Sequence, residues 1–326
     1  MAYYDPEKER VDVVCVLTEA GTHWAGQRKA PEAVVKIGGL AYKLLDLDFK
    51  VLFHDVLSSD SASRAAAWRP AAKVDGVRNE ANTVVVMEAV QQFLRNHQQD
   101  LQDGFTIVLG GDCSITLAVF SGLQSRHPEG TKVGLLYMDG DADLTLPSET
   151  SAEGSSAIMD SMTISHLTGR AGGLESMRAF SNADGSPLVT AENIVLFGFD
   201  PLQLAPEHWV YLLENGYKAY TRPTVKKDPS VCAEKALAWL QDRVDVIYVH
   251  FDVDVIDSGE SPLANYPHYA GLEFSQAMSA LQAVLQHRKV KGLTLTEVNP
   301  NNDPDGDMIV RLVDGLVEGV KQRKKL

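Results

Sequence analysis

Residues 1–326 read as one α/β domain, a parallel sheet covered by helices on both faces. Three observations predict it. Short apolar, β-branched runs alternate with segments of helical spacing along the chain. Most of those runs are apolar at consecutive positions, the pattern of strands buried on both sides. No fixed-period repeat or low-complexity linker divides the chain. In order, VDVVCVL (11–17) is the first strand, PEAVVKIGGLAYKLLDL (31–47) a helix, FKVLFHD (49–55) a strand and NEANTVVVMEAVQQFLRNH (79–97) a helix. FTIVLGG (105–111) and VGLLYMD (133–139) are strands. Residues 145–193, rich in Ser, Gly, Thr and Asp, read as a long surface excursion. IVLFGFD (194–200) is a strand, DPSVCAEKALAWLQDR (228–243) a helix, and VDVIYVHFD (244–252) a strand. Helix EFSQAMSALQAVLQHR (273–288), strand GLTLTEV (292–298) and helix DMIVRLVDGLVEGVKQR (307–323) complete the series.

The hydrophobic fraction of 44% and charged fraction of 23% allow a sizeable core. No apolar run approaches the roughly 18 to 20 residues of a membrane span. The opening MAYYDPEKER is unlike a secretory signal or transit peptide. Three widely spaced cysteines (Cys15, Cys113, Cys232) exclude a disulfide framework and suit a reducing compartment, so the expected location is cytoplasmic. A formal charge of −14 repels nucleic acid; the one basic cluster is KQRKK at 321–325. The same acidity suits cationic partners and metal ions.

Acidic residues gather where strands end. VGLLYM runs into Asp139-Gly-Asp141-Ala-Asp143, and VDVIYVHF runs into Asp252-Val-Asp254, with Asp257 beyond. FTIVLGG ends in Asp112-Cys113-Ser114, and GLTLT ends in Glu297-Val-Asn-Pro300. In extended chain, residues i and i+2 project to one side, so each aspartate set can converge. The carboxyl ends of parallel strands share one edge of the sheet, where such folds carry their chemistry. Crowded carboxylates repel, divalent cations neutralise them, and an oxygen-rich set selects Mn²⁺ or Mg²⁺. A lone Asp at a strand end is usually a cap or turn residue; two separate clusters point to metal.

GGDCS (110–114), DGDAD (139–143), HFDVDVID (250–257) and EVNP (297–300) resemble, in order and spacing, the GGDHS, DAHxD, SxDxDxxDP and ExxP signatures of the arginase/agmatinase (ureohydrolase) family. GQRKAPEAV (26–34) is similar to the family's Gly-rich segment before the first helix, and FGFDPLQLAPEH (197–208) to a degraded substrate-binding loop, so the likeness spans almost the whole chain. The resemblance implies a three-layer α/β/α domain with a mainly parallel sheet of about eight strands. It implies two Mn²⁺ ions bridged by a hydroxide that attacks a guanidinium carbon and releases urea. Carried over by motif position, Cys113, Asp139, Asp143 and Asp252 face the first ion, and Asp139, Asp141, Asp252 and Asp254 the second. Glu297 matches the glutamate that pairs with the substrate guanidinium, and Asp143 also steadies the hydroxide. The family's proton-shuttle histidine falls at Asp160. The resemblance also implies assembly into trimers or hexamers.

The departures matter equally. Two family histidine ligands are Cys113 and Asp141 here. The family serine before FDVD is His250, which can contribute a nitrogen or simply pack; His166 reads as structural, and His23 and His208 as either surface or substrate-facing. Five aspartates and one thiolate carry six negative charges against the family's four. Extra anionic ligands weaken the metals as Lewis acids and raise the pKa of a bridging water. The substrate is then more easily hydrolysed than arginine, for example an N-hydroxyguanidine. Cys113 also admits Zn²⁺ or Fe²⁺. Thr145 stands where arginases carry Asn, and only Glu207 remains of the acidic pair that grips an α-amino group. The leading expectation is a metal-dependent hydrolase of a small guanidino compound other than ordinary arginine. The alternative is a non-catalytic relative that acts by binding or assembly. Phosphate chemistry is disfavoured, since no GxxxxGK[ST] loop occurs.

Overall fold

A computed structural model describes residues 9–57, 61–67, 76–97, 104–151 and 155–323. The strands are β1 Arg10–Cys15, β2 Lys50–Asp55, β3 Phe105–Leu109, β4 Val133–Met138, β5 Ile194–Phe197, β6 Lys218–Tyr220, β7 Val246–Asp252 and β8 Val290–Thr296. They form one sheet in the order β2-β1-β3-β8-β7-β4-β5-β6. Every pairing is parallel. Alternation explains the consecutive apolar runs. Leu136 and Met138 of β4, with Ile247, Val249 and Phe251 of β7, enter one core. Val133, Leu135 and Tyr137, with Val246 and Tyr248, enter the core on the opposite face. The result is three layers, helices on each side of the sheet.

Helix Asp307–Arg323 buries Ile309, Leu312, Val313, Leu316 and Val320, a stripe at helical spacing. Helix Phe274–Leu285 starts at a capping box between Glu273 and Gln276.

The structure differs from expectation in three places. The helix expected over 31–47 is two, Ala30–Lys36 and Leu40–Asp46. The break is Gly38-Gly39: Gly39 has φ 68°, and a Cβ on Gly38 would lie 2.4 Å from Val313 Cγ2. Edge strand β6 escaped notice because its three residues are all half-buried and carry no period. The segment 145–193 is not a surface excursion. Met159, Met162, Ile164, Leu167, Phe180 and Val189 are at most 1% exposed. They sit on turns such as Asp160–Met162, Thr163–Leu167 and Glu175–Phe180, too short to show periodicity.

Candidate metal centre

The four central strands β3, β8, β7 and β4 are neighbours in the sheet and end at one edge. Their ends carry Asp112-Cys113, Glu297, Asp252-Asp254 and Asp139-Asp143. The carboxylates gather by a local rule that recurs. Asp139 Oδ1 accepts from the Asp141 amide at 2.7 Å, Asp252 Oδ1 from the Asp254 amide at 2.7 Å, and Asp112 Oδ1 from the Ser114 amide at 3.2 Å. Each D-x-D or D-x-S step is thus a side-chain turn rather than an extended chain. Asp254 Oδ1 also accepts from the Gly140 amide at 2.9 Å, which latches the β7 segment to the β4 segment.

Asp112 has a local structural task, though its charge still bears on Asp160 and Glu297. It takes the Gly21 amide at 3.1 Å and the Ser114 hydroxyl, and so fixes the turn Cys113–Ile115. Cys113 Sγ then lies 2.8 Å from Asp252 Oδ2, 3.1 Å from Thr296 Oγ1, 3.3 Å from His250 Nε2 and 4.0 Å from Asp139 Oδ2. The His250 ring stacks on Tyr137, centroids 4.1 Å apart and 6° from parallel, with Nδ1 2.9 Å from the Thr116 hydroxyl. The Tyr137 hydroxyl donates to Asp143 Oδ2 at 2.5 Å.

On the other side of Cys113, its backbone amide donates to Asp160 Oδ1 at 2.6 Å. Glu297 Oε2 accepts from Gln27 Nε2 at 2.9 Å, while Glu297 Oε1 is buried with no hydrogen-bond partner. Asp143 (φ 45°) and Glu297 (φ 63°) both occupy the left-handed backbone region that side chains other than glycine rarely enter.

Three groups of ligand atoms lie within 4.8 Å of one another: Cys113, Asp139, His250 and Asp252; Cys113, Asp160 and Glu297; and Asp141, Asp254 and His268. His268 Nε2 stands 3.4 Å from Asp141 Oδ2 and 3.4 Å from Asp254 Oδ2. Oxygen donors with one sulfur and two imidazoles fit divalent cations. The buried Glu297 Oε1 has no hydrogen-bond partner, and His268 Nε2 is aimed between two carboxylates; both are directions such a site leaves for a ligand.

The metal-free electrostatics are severe. Burial raises Asp139, Asp143, Asp160, Asp252 and Glu297 well above the usual carboxyl range, and each is raised further by a neighbouring carboxylate. Burial likewise pushes up the Cys113 thiol, which donates to Asp252. Burial lowers His250 to about 3. Burial also opposes charge on His268, but the Asp254 carboxylate and the contacts with Asp141 outweigh it and hold the ring at about 11. In return the His268 charge overcomes the burial of Asp254 and keeps that carboxyl below its ordinary value.

Thr145 is half-buried on the segment leaving Asp143, its amide bonded to the Ser161 carbonyl at 3.0 Å. Glu207 is exposed in the first turn of helix Pro206–Glu214, and its neighbour His208 turns to Glu149 at 3.1 Å. His23 stacks on Trp24 at 4.2 Å. His166 accepts the Leu174 amide at 3.3 Å, and burial lowers it to about 4. Sequence reasoning missed His268 and the role of Gln27. His268 rides on the long connection after β7, which returns to pair Ile256 with Leu272. It is held there by Ser258, whose amide donates to the His268 carbonyl at 2.8 Å and whose hydroxyl accepts the His268 amide at 3.0 Å.

A family model described as the arginase family matches residues 10–319. An arginase of Staphylococcus aureus (strain MRSA252) is 25% identical over 313 residues, covering 94% of this chain and 96% of its own. The structure of an arginase from Bacillus caldovelox superposes with a TM-score of 0.79 at 21% identity, covering 95% of this chain and 98% of that one. A formimidoylglutamase from Bacillus subtilis superposes with a TM-score of 0.70 at 15% identity, covering 98% and 89% respectively.

Proposed function

This chain belongs to the arginase family, whose members are amidinohydrolases, and from that premise we propose that it hydrolyses a C–N bond of a guanidino compound other than ordinary arginine, releasing urea. The observation that carries the reading is Glu297: a buried carboxyl with one oxygen held by Gln27 and the other unpaired, beside Cys113 and Asp160. A planar, cationic guanidinium matches that carboxylate's unmet demand.

The proposed holders of two divalent ions are Cys113, Asp139, Asp141, Asp143, Asp252 and Asp254. Mn²⁺ suits the oxygen majority, and Zn²⁺ or Fe²⁺ suits the sulfur. When bound, the ions supply a water activated for attack and polarise the guanidino group. The chain's residues do the rest. Glu297 orients the guanidino nitrogens. Tyr137 fixes Asp143 beside the attacked carbon. Asp160, whose burial favours its protonated form and which lies beside Glu297, holds a proton for the departing amine. Glu207 is exposed and Thr145 offers one hydroxyl, a weak grip on an amino-acid end, which favours a guanidino compound lacking that end; the extra anionic ligands separately favour a more easily hydrolysed group such as an N-hydroxyguanidine. We further propose a cytoplasmic trimer or hexamer.

The test is urea release by metal-reconstituted protein from arginine, agmatine and N-hydroxyarginine, with Glu297→Gln alongside. The expected result is turnover of a non-arginine compound, lowered at least about a hundredfold in kcat/KM by Glu297→Gln. Turnover of arginine above all others overturns the substrate assignment. No metal bound and no guanidine hydrolysed favours the binding-protein reading.

A further inference from the structure

We propose that the two ion sites are unlike, each completed by an imidazole from outside the strand-end motifs: an inner site of Cys113 Sγ, His250 Nε2, Asp139 and Asp252 that takes a thiophilic ion, and an outer site of His268 Nε2, Asp141 and Asp254 that takes a hard one. The inference deepens the functional reading above and rests on its premise that the cluster holds metal.

The inner group is closed. Cys113, Asp139, His250 and Asp252 are each at most 2% exposed. Their separations around the sulfur run from 2.8 to 4.0 Å, and His250 Nε2 lies 3.7 Å from Asp139 Oδ2. Ligands at 2.0 to 2.3 Å from a tetrahedral ion sit roughly 3.3 to 3.8 Å apart. The two His250 Nε2 separations, 3.3 and 3.7 Å, match that, while the sulfur must draw away from Asp252 and towards Asp139 by less than an ångström. Thr116 faces His250 Nδ1 at 2.9 Å; when Nδ1–H donates to that hydroxyl, the Nε2 lone pair points at the sulfur. Sulfur and nitrogen on one ion select Zn²⁺, Co²⁺ or Fe²⁺ over Mn²⁺.

The outer group is different in kind. Its anionic donors are carboxylate oxygens alone, and the Asp141 side chain is 38% exposed. His268 is the geometric pointer to a ligand: its side chain is 3% exposed, and Nε2 is aimed between Asp141 Oδ2 and Asp254 Oδ2, 3.4 Å from each, so the three donor atoms converge on one point. Nδ1 faces the Gln203 side-chain amide at 3.2 Å. Gln203 Nε2 also donates to Asp200 Oδ2 at 3.5 Å, so this amide ties the Nδ1 edge of the ring to a second carboxylate and fixes the direction of Nε2, which makes Gln203 a positioning residue.

The experiment strips the full-length protein with chelator and titrates it with Co²⁺, reading thiolate-to-cobalt charge-transfer absorption and binding stoichiometry. Wild type should bind two equivalents, with the charge-transfer band saturating at one. Cys113→Ser should abolish the band. His268→Gln should keep the band while weakening the other equivalent at least about tenfold. His250→Gln should weaken the equivalent that carries the band, with circular dichroism reporting whether the fold is kept. The wild-type spectrum tests the sulfur site without any variant. Absence of the band in wild type, or two equivalents bound undiminished by folded His268→Gln, overturns the proposal. A wild type with the band and the His268 dependence but no guanidine turnover keeps this assignment and overturns the hydrolase reading; turnover without the band does the reverse.

Discussion

Tyr137→Phe isolates one bond at the centre of the site. The side chain is 1% exposed and its ring lies flat on His250, so phenylalanine keeps the packing and opens no cavity. Only the 2.5 Å hydrogen bond to Asp143 is lost. Such a bond is worth about 1 kcal/mol to a neutral acceptor and about 2 kcal/mol to a charged one. In metal-free protein, burial and then Asp160 raise the Asp143 carboxyl well above its usual range. A raised folded pKa means that the group's stabilising share is present below the unfolded value, near 4, and is lost as pH rises through the folded value. Removing a donor that favours the ionised form moves that folded value further up, so the variant suffers most where wild type is ionised. The expected loss is about 1 kcal/mol at low pH, growing to about 2 kcal/mol at high pH. Urea unfolding of chelator-treated protein at both pH values measures it, and an Asp143→Asn background should flatten the pH dependence. A loss below about 0.5 kcal/mol, or one that does not change with pH, refutes the reasoning.

Two further outcomes test the scaffold. Arg222 Nη1 pairs with Asp200 Oδ2 at 2.8 Å, the side chains 13% and 8% exposed; Arg222→Ala leaves that buried carboxylate without its counter-charge, held only by the Leu202 amide and Gln203, and should cost about 3 kcal/mol in urea unfolding, with Arg222→Lys recovering part of it. His166 is lowered from 6.5 to about 4 by burial, so the folded state prefers the neutral ring. Stability therefore holds above pH 6.5 and falls as pH drops towards 4, by about 2 to 3 kcal/mol from this group alone. His166→Gln should flatten the stability curve in that window, and an unchanged curve removes the assignment.

The sheet was legible in the sequence because strands buried on both faces leave unbroken apolar runs; β6 and the turns of 145–193 were not, since a turn or a three-residue edge carries no period. Strand-end position led to Cys113, Asp139, Asp141, Asp143, Asp252, Asp254 and Glu297 at one edge; all but Asp143, which is held by Tyr137, fall in the three groups of close donor atoms, though through a different local geometry. The spacing of two suggested extended chain; the structure shows carboxylates each binding the amide two residues on. His268 was hidden for a different reason. Its nearest site partners in sequence, Asp252 and Asp254, lie across a long connection, and no spacing rule reports where such a loop returns. The bridge from Ile256 to Leu272 decides it.

Asp143 and Glu297 hold left-handed backbone that glycine enters freely and other residues enter at a cost of about 1 to 2 kcal/mol. Each also carries a carboxyl that burial penalises. Folding and chemistry therefore select in opposite directions at these two positions. A library screened only for survival of heat should accumulate Gly or Asn at 143 and Gly at 297, and the hardiest clones should be inert. A library screened for turnover should keep the acids and recover its heat tolerance elsewhere in the chain.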